Sequence, residues 1–230
     1  MKKQLKYIFI IIGLLLASVL IYQLAIKFMP DIRMFVNSKS VESRAILQKS
    51  VRSHKASTGI LLILLTSVMS AIPGIPTSVV GVIVGVCYGP LIGSIMNIIG
   101  NSLGNIGSFY LMHKFKFMDK SKASNHWVQT LSNAKHPNIS ITVAYMIPII
   151  PSFLVNFTAT LLNIKFTQLI WMTLVGSIPS SILYAFGGDA LFKGNETRAV
   201  LLIASVGILI AFILLIKKDR KQKENTKINA

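Results

Sequence analysis

Long apolar runs alternate with short basic stretches along this chain. Lys2, Lys3 and Lys6 precede an apolar run from Tyr7 to Ile26. About twenty helical residues at about 1.5 Å each cover roughly 30 Å of hydrocarbon, so this run predicts a first membrane span. Its length favours an uncleaved span, because the apolar core of a cleaved leader runs to only about 7–15 residues. Residues 27–58 are polar and basic. Phe35, Val36, Ile46, Leu47 and Val51 recur too loosely there to decide between a surface helix and a solvated linker. Apolar residues dominate again over 59–88, from Pro90 to about Met112, and over 139–162, 165–186 and 199–216. Pro90 suits the first turn of a helix. The tail from Lys217 is charged and aperiodic, which predicts disorder.

Two of the apolar runs are interrupted in the same way. Ile72-Pro73-Gly74-Ile75-Pro76-Thr77 and Ile147-Pro148-Ile149-Ile150-Pro151-Ser152 both read Ile-Pro-x-Ile-Pro-hydroxyl, 75 residues apart. Proline removes a backbone donor and clashes with the preceding turn. In lipid the freed backbone groups must be satisfied by neighbouring protein or by a water-filled cavity. A plain kink in a packed span is the simpler alternative. Paired breaks in matching halves are, however, the sequence signature of a transport site. At this offset residues 60–112 align with 135–187, each half being a broken element followed by an uninterrupted span.

The expected fold is therefore an all-α integral membrane protein: an inverted repeat of two re-entrant broken-helix elements plus about four transmembrane helices. Its expected organisation is an N-terminal span and basic linker (1–58), a membrane core (59–190), a last span (191–216) and a basic tail (217–230).

Composition agrees with that reading. Of 230 residues, 53% are hydrophobic and 13% charged, against about 25% charged in soluble domains. The formal net charge is +17. The cations lie between the apolar segments and at the ends, as membrane flanks do, so membrane lipids rather than nucleic acid are the expected partners. In the two-repeat topology the N-terminus, residues 113–138, Lys165 and the tail share one side with fifteen Lys and Arg, and the other side carries nine. The positive-inside rule puts the richer side, and both termini, in the cytoplasm of a cell-membrane protein. Cys87 is the single cysteine, so no internal disulfide forms. No cysteine–histidine metal spacing occurs and no cofactor is expected. A homo-oligomer is compatible with the sequence, which sets no stoichiometry.

Candidate functional residues follow from the breaks and the spans after them. Gly93, Asn97, Gly100, Asn101, Gly104, Asn105 and Ser108 recur at three- and four-residue spacing and share a broad helix face. Thr173, Gly176, Ser177, Ser180, Ser181 and Tyr184 do so in the second half, with Pro179 among them. Small residues let helices approach closely, and Asn or Ser can bond across the contact. The same face can instead wall a polar groove, a reading that the asparagines at 97, 101 and 105 invite. Asn156, just after the second break, belongs with them. Helix ends at Thr77 or Ser152 would present free amide donors at membrane depth. The candidate pathway is thus Pro73, Gly74, Pro76, Asn97, Asn101, Asn105, Pro148, Pro151, Asn156, Gly176 and Pro179. Residues 59–112 and 139–164 contain no acid, lysine or arginine, so no central ionisable relay for proton coupling is present. No nucleophile is paired with a base, and an enzyme is not expected.

Several segments resemble the DedA superfamily, and more closely its VTT-domain branch, the SNARE-associated Golgi protein family. They are Cys87-Tyr88-Gly89-Pro90 with Gly93 and Gly100, then Pro148-x-x-Pro151-Ser152-Phe153-Leu154-Val155-Asn156, Gly176-x-x-Pro179 and Tyr184-x-x-Gly187. The resemblance covers about residues 59–190. It implies two re-entrant elements facing each other between membrane helices, and movement of phospholipids or polyprenyl phosphate carriers across the bilayer. The chain departs from the family pattern at Tyr145, where members typically carry arginine, and at His113 and Lys114, where arginine is frequent; it also has no acid near the first break, where the DedA branch proper has one. The expected function is a membrane lipid translocase of flippase or scramblase type. A secondary transporter of a small solute or ion, and a non-transporting membrane scaffold, are the alternatives.

Overall fold

A computed structural model describes residues 2–37, 56–72, 75–115, 125–148, 150–193 and 197. The described residues form seven α-helices and no strand: α1 (Lys2–Asn37), α2 (Ala56–Ala71), α3 (Ser78–Phe115), α4 (His126–Ser132), α5 (Pro137–Met146), α6 (Ser152–Leu161) and α7 (Phe166–Phe192). Three of these, α1 over Tyr7–Pro30, α3 and α7, are long and apolar enough to cross a membrane. Pro73, Gly74, the expected span at 199–216 and the basic tail lie outside the described residues.

The packing of α3 is inverted relative to that of a water-soluble helix. Leu91, Ile92, Ile95 and Leu103 are exposed, while Asn97, Asn101 and Asn105 are buried. An apolar exterior over an amide-lined interior is stable where the surrounding solvent is hydrocarbon, because only the interior offers partners to polar groups. The chain is thus an all-α membrane protein.

The helix α3 consists of two arms. Gly89 has φ 77° and ψ −179°, a backbone that residues with a Cβ rarely adopt. Pro90 follows and starts the second arm. Asn97 Nδ2 donates to the Gly81 carbonyl at 3.0 Å, and a methyl group at Gly93 would lie 3.2 Å from Gly85 Cα. Both pairs are centred on Gly89, so the short arm, Ser78–Tyr88, folds back antiparallel along the long one, Pro90–Phe115. Against both arms lies α2, running in the same direction as the long one. Ser70 Oγ donates to Asn101 Oδ1 at 2.8 Å, and methyl groups at Gly59 and Gly100 would meet Met96 and Tyr88, and Thr66, respectively. Together α2 and the short arm make a helical hairpin whose two open ends meet at Gly59 and Tyr88 and whose tip is the 72–77 break.

The second half is built likewise. Tyr145 on α5 and Asn156 on α6 are joined across the 147–151 break by a 2.5 Å hydrogen bond. The turn after α6 passes through Asn163 at φ 50°, and α7 begins at Phe166. There α7 runs antiparallel to the long arm of α3: Gly93 approaches Ala185, Ser102 bonds Ser177 at 3.1 Å, and the rings of Tyr110 and Phe166 meet edge-on at 6.3 Å. Along the hairpin of the first half, α1 packs through Ala17, Leu20 and Leu24 onto Leu62 and Leu65. Its start lies beside the end of α3, with Phe9 and Phe115 centroids 5.2 Å apart.

Helix extends into two of the basic stretches between the apolar runs. Within 113–138, α3 continues to Phe115 and α4 occupies His126–Ser132, with Asn125 Oδ1 accepting from the Trp127 amide at 2.9 Å as its cap. Val128 and Leu131 are buried in this helix, and seven residues are too few for their periodicity to register. Within 27–58, α1 continues through Pro30 to Asn37.

Candidate functional site

A cavity of about 400 Å³ lies between the two breaks. Ile75, Pro76 and Thr77 reach it from the first, and Ile147, Pro148, Ile150 and Pro151 from the second. Asn101 and Asn105 of α3 and Ser177, Ser180 and Tyr184 of α7 complete its walls with Ser70 and Tyr145. These wall positions sit near the middle of the two long helices, so the cavity is at mid-depth of the bundle.

A continuous chain of hydrogen bonds fixes the wall. Tyr145 donates its hydroxyl to Asn156 Oδ1 at 2.5 Å; Asn156 Nδ2 donates to Asn105 Oδ1 at 3.0 Å; Asn105 Nδ2 donates to the Asn101 carbonyl at 2.9 Å; and Ser70 donates to Asn101 Oδ1. This chain joins α2, α3, α5 and α6, so it ties the two hairpins to each other. Asn156 is fully buried and spends its side-chain amide on both neighbours. Buried polar groups of this kind are costly unless paired, and a paired network locks one geometry.

The candidate residues separate by position. Pro76, Asn101, Asn105, Pro148 and Pro151 line the cavity. Asn156 stands behind the wall and holds Tyr145 and Asn105. Asn97 is buried one turn away, where its amide fastens the short arm of α3 through the Gly81 carbonyl. Gly176 is a packing position: a methyl group there would lie 2.5 Å from Tyr145 Cβ. Pro179 is on an exposed part of α7, outside the cavity wall. Pro73 and Gly74 lie outside the described residues. Other wall residues are absent from the candidate pathway, among them Ser177, Ser180 and Tyr184 of the second-half stripe, Ser70, on the last turn of α2, and Tyr145, which attracts notice in the sequence only as a departure from the family's arginine.

Every lining side chain is uncharged. Asp189, the one acid whose side chain is described, pairs with Lys193 at 2.7 Å near the end of α7. Among the described residues no group of His, Cys, Asp or Glu could hold a metal ion. What the cavity offers is hydroxyl and amide hydrogen bonding, together with the first turns of two helices. Ser78 and Ser152 both line it, and no side-chain cap occupies the start of α6. Free amide groups at such starts carry partial positive charge.

The described residues form an all-α membrane fold with an uncharged cavity at mid-depth, flanked by two proline-broken helical hairpins. The family model for the VTT domain matches residues 75–190, half of the chain, and the chain belongs to that family, the domain of the DedA/SNARE-associated Golgi proteins. No curated protein and no solved structure matches it.

Proposed function

We propose that this chain is a lipid translocase of flippase or scramblase type, carrying phospholipid or polyprenyl-phosphate headgroups across the cytoplasmic membrane. The observation that carries the reading is the shared cavity: both broken turns reach it, hydroxyl and amide side chains make up about half of its lining, and the outer surface of the same helices is apolar. A headgroup can cross along such walls while its acyl chains stay in lipid. Family membership supports the same class of activity.

In this reading the two hairpins are re-entrant and related by an inverted repeat. The equivalent residues Ser102 and Ser177 touch, and the helices that carry them run antiparallel. A two-fold axis through that contact is perpendicular to both helices and lies in the membrane plane if they span it. The hairpins then dip in from opposite faces. The N-terminus and residues 113–138 lie on one side, supported by the contact of Phe9 with Phe115, and the excess of basic residues assigns that side to the cytoplasm. With no acidic, histidine, lysine or arginine side chain among the lining residues, movement down a gradient fits the cavity better than proton-driven pumping.

Reconstitution in liposomes with leaflet-labelled phospholipid tests the proposal. Headgroup exchange faster than in empty vesicles is the expected result. Exchange at the rate of empty vesicles, across anionic and zwitterionic lipids alike, overturns it. Saturable solute uptake without lipid movement would transfer the cavity to a solute transporter.

A further inference from the structure

A second cavity, again of about 400 Å³, opens where α3 ends and the α6–α7 turn begins. Phe109, Tyr110 and Phe166 give it apolar walls, and His113, Asn163 and Lys165 also line it. His113 stacks on Phe109 with centroids 5.8 Å apart, and Lys114 Nζ stands 5.5 Å over the Tyr110 ring. Two cationic or protonatable side chains, His113 and Lys165, therefore line one apolar cleft, and a third, Lys114, stands against one of its wall rings. The acid with a described side chain, Asp189, is near the far end of α7 and paired with Lys193. No carboxylate among the described residues offsets the cations around this cleft.

Helix electrostatics account for some of these cations and not for another. His113 and Lys114 sit in the last turn of α3, where positive charge is favourable. Lys165 is the N-cap of α7 and makes no side-chain cap bond. A cation at a helix start faces the positive end of the dipole and leaves the first amide donors free. An anion seated in the cleft satisfies both the ammonium and these donors. Asn163 shapes the turn that brings Lys165 there; its positive φ is rare for a residue other than glycine. The cleft is mainly apolar with a cationic edge and lies at the end of two helices long enough to cross a membrane. That combination suits a lipid, with acyl and glycerol carbons on the rings and a phosphate at Lys165 and His113.

We propose that this cleft is a binding site for one anionic phospholipid, drawn from the leaflet on the side of residues 113–138 and separate from the central cavity. It does not rest on translocation, since occupancy can be read without lipid movement.

The test is native mass spectrometry of the full chain purified in mild detergent and titrated with phosphatidylglycerol or phosphatidylcholine. The wild-type chain should retain one phosphatidylglycerol in preference to phosphatidylcholine. His113→Gln with Lys165→Gln should weaken that retention roughly tenfold or more, the scale expected for lost charge-assisted bonds, and Lys165→Arg should keep it. His113 and Lys165 are exposed, and an unchanged melting temperature of the double variant shows that the fold is kept. Equal retention by wild type and double variant overturns the site, as does equal retention of the two lipids. Displacement of the lipid by millimolar inorganic phosphate would reassign the cleft to a free anion and also overturn the proposal.

Discussion

Ser102 Oγ and Ser177 Oγ lie 3.1 Å apart where the long arm of α3 crosses α7, and 75 residues separate them. The two proline motifs are offset by the same 75 residues. In the proposed inverted repeat these two serines are equivalent positions and would sit beside the axis relating the copies. The pairs on either side are those that such an axis would exchange. Gly93 meets Ala185 and Tyr110 meets Phe166; position 185 is the repeat equivalent of 110, and 166 lies within a turn of the equivalent of 93.

This contact gives the first prediction. Ser102→Cys with Ser177→Cys should form a disulfide on mild oxidation, because the two side-chain atoms already meet and disulfides tolerate only a narrow range of Cα separations. Thiol titration should fall from three groups, counting the native Cys87, to one. Three titratable thiols after oxidation would contradict the crossing.

The asparagines should differ in what they support. Asn156→Ala removes the group joining Tyr145 to Asn105 and strands two buried polar atoms, at about 1–3 kcal/mol for each unsatisfied group. It should reduce both thermal stability and lipid exchange. Asn97→Ala removes one bond to the Gly81 carbonyl, outside the cavity, and should lower stability by about 1 kcal/mol while leaving exchange near wild type. Parallel melting and exchange measurements distinguish them.

Gly89 should tolerate no side chain cheaply. At φ 77° and ψ −179°, Gly89→Ala should cost about 1–3 kcal/mol, read as a lower melting temperature than that of Gly107→Ala, where an added methyl meets nothing within 4 Å.

The broken turn at 147–151 should matter more than the tail. Pro148→Ala with Pro151→Ala restores two backbone donors and permits helix through the break. Lipid exchange should fall further in this double variant than in a chain truncated after Ile216. Equal exchange by the double variant and the wild type would remove the break from the mechanism.

The sequence announces the breaks because proline acts locally, and the structure puts interruptions at 72–77 and 147–151. The reversal at Gly89-Pro90 is less legible. Proline there reads as the start of a span, and only the backbone at Gly89 shows that the preceding eleven residues fold back along it. Helical spacing places Asn97, Asn101 and Asn105 on one face but is silent on depth. The short arm of α3 covers the first, and the cavity meets the other two. Tyr145 could not be assigned from spacing, since its partner Asn156 lies across the break. Lys165 is conspicuous only once a helix is known to begin after it.

Cysteine accessibility tests the shared cavity most directly. In a Cys87→Ala background, Thr77→Cys and Ser152→Cys, one from each break, should react with a membrane-impermeant thiol reagent in liposomes. Leu103→Cys, on the apolar outer face at mid-length of the long arm, should not. Labelling of both break positions, with Leu103→Cys silent, is the predicted result; break positions as unreactive as Leu103→Cys would contradict the account.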